Sequence, residues 1–188
     1  DDKNSLTVLE KQWIMKNKKT LIDINVPNNI NIVAEDGHGF VFSLLKRVEK
    51  DTELRFNKRA YNYGASVDNA GLSVLVLENT DSLDEKDVLI AEDNYVVVSK
   101  SEGYYTNLNS LYNQKIGILS SSEKSVSSFL ENQALTTYST VSSIVSDINS
   151  GKIKYAIVPR YYSLDEVVKG GLYINYSFDD LTNKIVLR

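Results

Sequence analysis

Three consecutive serines, Ser120, Ser121 and Ser122, stand directly before a segment with helical spacing. Backbone N–H groups at such a helix start, together with the helix dipole, can hold an anionic group of a ligand. Serine is also a good helix N-cap, so the same residues serve a purely structural reading. Arg160, Tyr161 and Tyr162 follow the apolar run Tyr155–Val158. In an open α/β sheet, ligands sit outside the carboxyl ends of the strands, and this triplet would close over one there. Thr80 ends another apolar run, with Asn79 and Lys86 close by in sequence, a set that offers hydrogen bonds to a ligand or simply makes a solvated turn. With twelve tyrosines in the chain, surface packing accounts equally well for Tyr161 or Tyr162. The candidate ligand-binding set is therefore Thr80, Lys86, Ser121, Ser122, Arg160 and Tyr161, and the chemistry is recognition of a small polar or anionic ligand. Tyr61 and Tyr63 are expected to line the same cleft.

Catalytic chemistry finds little support. The chain has no cysteine and one histidine, His38, which lies between two glycines and reads as a turn residue. No Gly-x-Ser-x-Gly elbow is present and His38 has no evident acidic orienter, so no triad and no catalytic residue is assigned. A cysteine- or histidine-based metal site is excluded, the segment Asp81–Asp87 lacks the spacing and glycine of a calcium loop, and neither metal nor cofactor is expected. The net charge of -4, with 21 Lys and Arg spread along 188 residues, gives no basic footprint and excludes nucleic acid as an expected partner. No apolar run approaches the roughly 18 residues that span a bilayer. Membrane attachment is expected only through a segment outside this sequence.

The candidate residues need elements to hold them. Residues 1–19 predict a short amphipathic helix with Thr7 and Glu10 as a capping box, and Trp13 as the residue that anchors it. TLIDINV predicts a strand over Thr20–Val26, followed by a second short run at Ile30–Ala34 and turn chemistry at Asp36–Gly39. A helix over Phe40–Lys50 and an extended run from Leu54 complete a strand–helix–strand unit. Gly71–Leu77 and Tyr95–Val98 read as strands buried on both faces. The second half repeats the pattern: strands at Lys115–Leu119, Leu135–Tyr138, Tyr155–Val158 and Lys184–Arg188, with helices at Val126–Asn132, Val141–Asn149 and Ser163–Val168, the last closed by Gly170-Gly171.

Four stretches taken in order, SLTVLEKQWIMKNKKTLIDINV, EDGHGFVFSLLKRVEKDTELRF, NSLYNQKIGILSSSEKSVSSFL and VSSIVSDINSGKIKYAIV, resemble the type II periplasmic solute-binding proteins. The likeness is to their amino-acid-binding group and, through the Leu-Thr-x-x-Glu-Lys entry, to its sensor ectodomains. The resemblance implies a two-lobed α/β Venus-flytrap fold, with residues 1–99 as lobe one and residues 100–188 as lobe two and hinge strand. The sequence ends at Arg188, about where such proteins cross back, so either the lobe is minimal or the return to lobe one is missing. The resemblance further implies an extracytoplasmic, membrane-anchored sensor that is not an enzyme, fused to a histidine kinase or a cyclic-dinucleotide enzyme, in which ligand binding shifts a hinge equilibrium. Homodimerisation is among the expectations. Two departures stand out. Glu85 occupies the position of the arginine that pairs with a ligand carboxylate, and Pro159 that of the aspartate that takes the ammonium, so a standard α-amino acid loses both halves of its clamp. A transport solute-binding protein, or a degenerate lobe pair acting as an interaction module, are the alternatives.

Overall fold

A computed structural model describes residues 6–18, 20–27, 40–61 and 71–188, with the side chains of residues 40–42 left aside. The readings at Ile30–Ala34, Asp36–Gly39, His38 and Tyr63 lie outside the described residues. The chain divides into two compact units, Asp1–Val74 and Leu75–Arg188.

Unit one opens with helix α1, Val8–Asn17. The expected capping box is present: Glu10 N–H donates to Thr7 Oγ1 at 3.2 Å and Thr7 N–H donates to Glu10 Oε2 at 2.7 Å. The expected amphipathic face is not. Val8 and Met15 project on the side away from Leu6, Leu9 and Trp13, so no single apolar stripe forms and no α1 residue is buried. Trp13 is 52% exposed, so it is not a buried anchor. Strand β1 (Leu21–Pro27), helix α2 (Phe40–Thr52) and strand β2 (Arg55–Tyr61) then form a crossover unit. β1 and β2 pair in parallel from Leu21↔Arg55 to Pro27↔Tyr61, and strand β3 (Leu72–Leu77) joins β1 in parallel at Ile24↔Leu72. Ile24, Val26, Leu45, Leu54 and Val74 form its buried apolar set.

In unit two the strand order is β8-β4-β7-β5-β6. β5 (Ile116–Leu119), β6 (Leu135–Tyr138) and β7 (Tyr155–Pro159) run parallel, while β4 (Val88–Ser99) lies antiparallel to both β7 and β8 (Tyr173–Leu187). Side chains alternate across a strand, so one run feeds two cores. Val96 and Val98 pack with residues of α4 (Val141–Asn149) and α5 (Arg160–Lys169), whereas Tyr95 and Val97 pack with Val126 of α3 (Glu123–Phe129). This two-sided burial explains the continuous apolar runs of β4, β5 and β7.

Four element boundaries correct the sequence reading, the first being β4, which starts at Val88 rather than Tyr95. β8 spans fifteen residues rather than the last few, because its tyrosines, asparagines and aspartates break the apolar pattern while remaining in the ladder. Between Asn94↔Thr182 and Val96↔Ser177 the register jumps, and Asn94 Nδ2 donates to the Phe178 carbonyl inside this bulge at 2.7 Å. α3 (Glu123–Phe129) follows directly on a 3₁₀ turn made by Ser120–Ser122, the expected helix start, and ends at Phe129 rather than Asn132. α5 starts earlier than expected, immediately after Pro159. Its expected end holds: Gly171 has φ +71°, and Leu172 N–H donates to the Val167 carbonyl at 3.0 Å.

Candidate functional site

The chemistry of unit two gathers where β3, β5 and β7 end. Among the sequence candidates, Ser122 lies deepest: it is fully buried and makes no side-chain cap to α3. Its hydroxyl instead meets the Tyr95 phenol oxygen at 2.9 Å, and the Tyr95 hydroxyl lies 2.8 Å from Glu78 Oε2. A phenol has one proton and a carboxylate only accepts, so Tyr95 donates to Glu78 and Ser122 donates to Tyr95. Ser125 adds a long contact to the same Glu78 oxygen at 3.5 Å. Burial, and then the negative charge of Glu78, push the Tyr95 phenol far above its usual range, so it stays a donor at any physiological pH. The serine cluster therefore faces the chain's own carboxylate.

A second carboxylate fills the equivalent position at α5. Pro159, the residue before the helix, has no side chain with which to cap it. Asp93, on β4 and buried to 2% exposure, does so across the fold: Tyr161 N–H donates to Asp93 Oδ1 at 2.8 Å and Tyr162 N–H donates to Oδ2 at 3.2 Å. The free N–H groups of a helix start and its dipole both favour a carboxylate there. Even so, burial outweighs these hydrogen bonds and the charge of Arg160, and raises Asp93 to about 6.

The remaining candidates spread out. Arg160 and Tyr161 come together at the start of α5, where both are exposed and the guanidinium lies 5.9 Å from the Tyr161 ring centroid. Ser121 is exposed, and Ser120 donates to the Tyr138 carbonyl at 3.1 Å. Thr80 is half-buried in the turn after β3, and neighbouring Asn79 accepts from Thr182 N–H at 3.2 Å. Lys86 is exposed, with its N–H on Asp84 Oδ1 at 3.1 Å. This acidic loop is a self-capped turn: Asp81 accepts from Glu78 N–H, Asp87 accepts from Asp84 N–H, and Arg188 grips Asp87 with two bonds of 2.7 Å. In unit one, Tyr61 donates its hydroxyl to the Val74 carbonyl at 2.5 Å, and burial raises it to about 12.

Sequence reasoning missed Glu78, Asp93, Tyr95 and Asn183. A signal was present for Asp93. The acid in Asp93-Asn94-Tyr95-Val96 runs straight into a doubly buried strand, where a charge is retained only with a partner.

No family model matches the sequence and no curated protein does. Solved structures do. The periplasmic VFT2 domain of BvgS from Bordetella pertussis superposes with a TM-score of 0.68 at 14% identity, covering 97% of this chain and 85% of that one. The periplasmic sensor of the Borrelia burgdorferi hybrid histidine kinase Hk1 gives 0.57 at 12% identity, with 90% and 87% covered. AbpA, an amino acid ABC transporter substrate-binding protein from Streptococcus pneumoniae, bound to L-arginine, gives 0.58 at 15%, with 94% and 83% covered. Coverage this complete, on the element order described above, establishes that the chain has the α/β fold of the two-lobed type II periplasmic binding proteins, the Venus flytrap.

Proposed function

We propose that this chain is the extracytoplasmic, small-ligand-binding sensor domain of a membrane-anchored bacterial signalling protein. The observation that carries the reading is the near full-length likeness to flytrap sensor domains, BvgS VFT2 and the Hk1 sensor among them. The likeness to AbpA supports ligand capture as such and leaves transport as the alternative output. The residues proposed to contact ligand are Thr80, Lys86, Ser121, Arg160 and Tyr161, with Ser122 acting through Tyr95. The proposed ligand is small and polar. An anionic group brought to Ser122 or to the start of α5 meets Glu78 or Asp93, and like charges at contact distance repel. The division of the chain into lobe one at 1–99 and lobe two at 100–188 stays part of the proposal.

Those same two carboxylates favour a second reading, a degenerate binding fold that acts as an interaction or dimerisation module. A ligand screen by thermal shift, paired with sedimentation of the ligand-free protein, separates the two. A saturable stabilising ligand supports the sensor reading. A flat screen with concentration-dependent dimerisation supports the module.

A further inference from the structure

We propose that Asp93 and Asn183 form a built-in proton switch, in which protonated Asp93 moves one hydrogen bond from helix α5 to strand β8. The two residues stand directly opposite each other in the antiparallel β4–β8 ladder. Directly opposed residues share a face of the sheet, with Cβ atoms about 5 Å apart. Both are buried, at 2% and 1% exposure. Asp93 accepts from Tyr161 and Tyr162 N–H, with the Arg160 N–H also favouring its charged form, while the Asn183 amide leaves both its oxygen and its nitrogen without a hydrogen-bond partner. It approaches the Tyr95 hydroxyl without closing a well-formed bond. A buried amide without a partner is costly and uncommon, so its persistence opposite a buried acid calls for a second state in which it is used.

The proton accounts for that state. A carboxylate accepts at both oxygens, whereas a carboxylic acid carries an O–H that must donate. The oxygen that takes the proton becomes a weaker acceptor, and the longer bond, from Tyr162 at 3.2 Å, is the one that yields. The new O–H then points to Asn183 Oδ1, the unused acceptor across the ladder. The surroundings permit the change. From α5, Arg160 favours the carboxylate, and the Tyr162 phenol is uncharged at any pH where Asp93 titrates. From β7, Val158 and Pro159 are buried and carry no charge. On β4 and β8, Glu92 and Lys184 oppose each other one residue along, on the other face of the ladder. Tyr95 stays protonated and passes Glu78 a hydrogen bond. The bond would thus move to β8 beside its bulge at residues 178–181, the place where the ladder changes register.

The test is a carbon-13 titration of the Asp93 carboxyl, assigned with Asp93→Asn, in the whole chain and in Asn183→Leu. In the wild type the Asn183 side-chain NH₂ signals and the Tyr162 amide are expected to move with the Asp93 midpoint. Asn183→Leu is expected to lower the proton affinity of Asp93 about three- to tenfold, the worth of one neutral hydrogen bond. An unchanged midpoint in Asn183→Leu overturns the proposal. If that variant does not fold, wild-type Asn183 signals that stay fixed while Asp93 titrates overturn it equally.

Discussion

Replacing Tyr95 by Phe removes one oxygen from a fully buried side chain, and its consequences can be worked from the contacts. Glu78 loses a charge-assisted bond of 2.8 Å and the fully buried Ser122 loses its acceptor at 2.9 Å. A hydrogen bond to a charged group contributes about 1.5–3 kcal/mol and a neutral one about 0.5–1.5 kcal/mol. Glu78 is only half-buried, so the lower half of the first range applies, and Tyr95→Phe is expected to cost roughly 2–3 kcal/mol. Glu78→Gln keeps an acceptor for the phenol but removes the charge, and its cost is expected near 1 kcal/mol. The double variant is expected to fall short of the sum by roughly 1 kcal/mol, because the phenol and the carboxylate act on one bond. Urea unfolding of the four proteins at pH 7 measures this cycle. Ultraviolet titration supplies an independent reading: without the Glu78 charge, the Tyr95 phenol should ionise at a lower pH than in the wild type. A Tyr95→Phe cost below about 0.5 kcal/mol with no coupling would refute the reasoning that Glu78 is held as an internal partner of the serine cluster.

Other expectations follow from the same geometry. Asp93 is raised from its ordinary 3.8 to about 6, so between those values the native state binds more protons than the unfolded chain. Stability should therefore fall as pH rises through that window, by roughly 3 kcal/mol in total, and Asp93→Asn should flatten this limb in urea titrations at pH 4–7. Asp87, which the hydrogen bonds from Arg188 hold at about 2, acts in the opposite sense. Its contribution is complete above the ordinary carboxylate range and is lost as pH falls toward 2, and Arg188→Ala should remove that acid limb. Neighbouring glycines at the end of α5 should fail for different reasons. A Cβ on Gly170 would meet Val145 Cγ1 and would lie 3.0 Å from the Glu166 carbonyl, an overpacking expected to cost about 1–3 kcal/mol. One on Gly171 meets nothing but sits at φ +71°, so Gly171→Ala should cost about 1 kcal/mol through backbone strain alone. Thermal unfolding of Gly170→Ala, Gly171→Ala and the pair checks both, and additivity is not expected, since the sites are adjacent.

The fold was legible where side-chain period and punctuation agree. Helix α4 was read to the residue, because Thr140 caps it, Ile144 and Ile148 face one core, and Ser150-Gly151 ends it. The flytrap likeness rested on the order of such units and held. Strand β8 was not legible, since its burial comes from pairing with β4 rather than from an apolar pattern of its own. The start of α5 was missed for a related reason. Its cap is Asp93, sixty-odd positions upstream, and no local motif records a cap supplied by another strand. Trp13 misled because an aromatic residue at helical spacing suggests a packed face, yet Val8 and Met15 distribute apolar surface around α1. At the site, the three serines marked the right place, but sequence could not show that Tyr95, from within β4, and Glu78, just past β3, reach that cluster.

The most direct measurement is a thermal-shift screen of the purified chain at pH 7.5 against small polar compounds, with isothermal titration of each hit. The panel sets neutral polar and cationic compounds beside monocarboxylates such as acetate and lactate. The account predicts at least one saturable hit, found among compounds that do not present a lone carboxylate, with a shift of several degrees at about 100 times its dissociation constant. It also predicts that the hit weakens in Arg160→Ala or Tyr161→Ala. No response from folded, ligand-free protein across the panel would contradict the claim that this flytrap fold binds a small molecule.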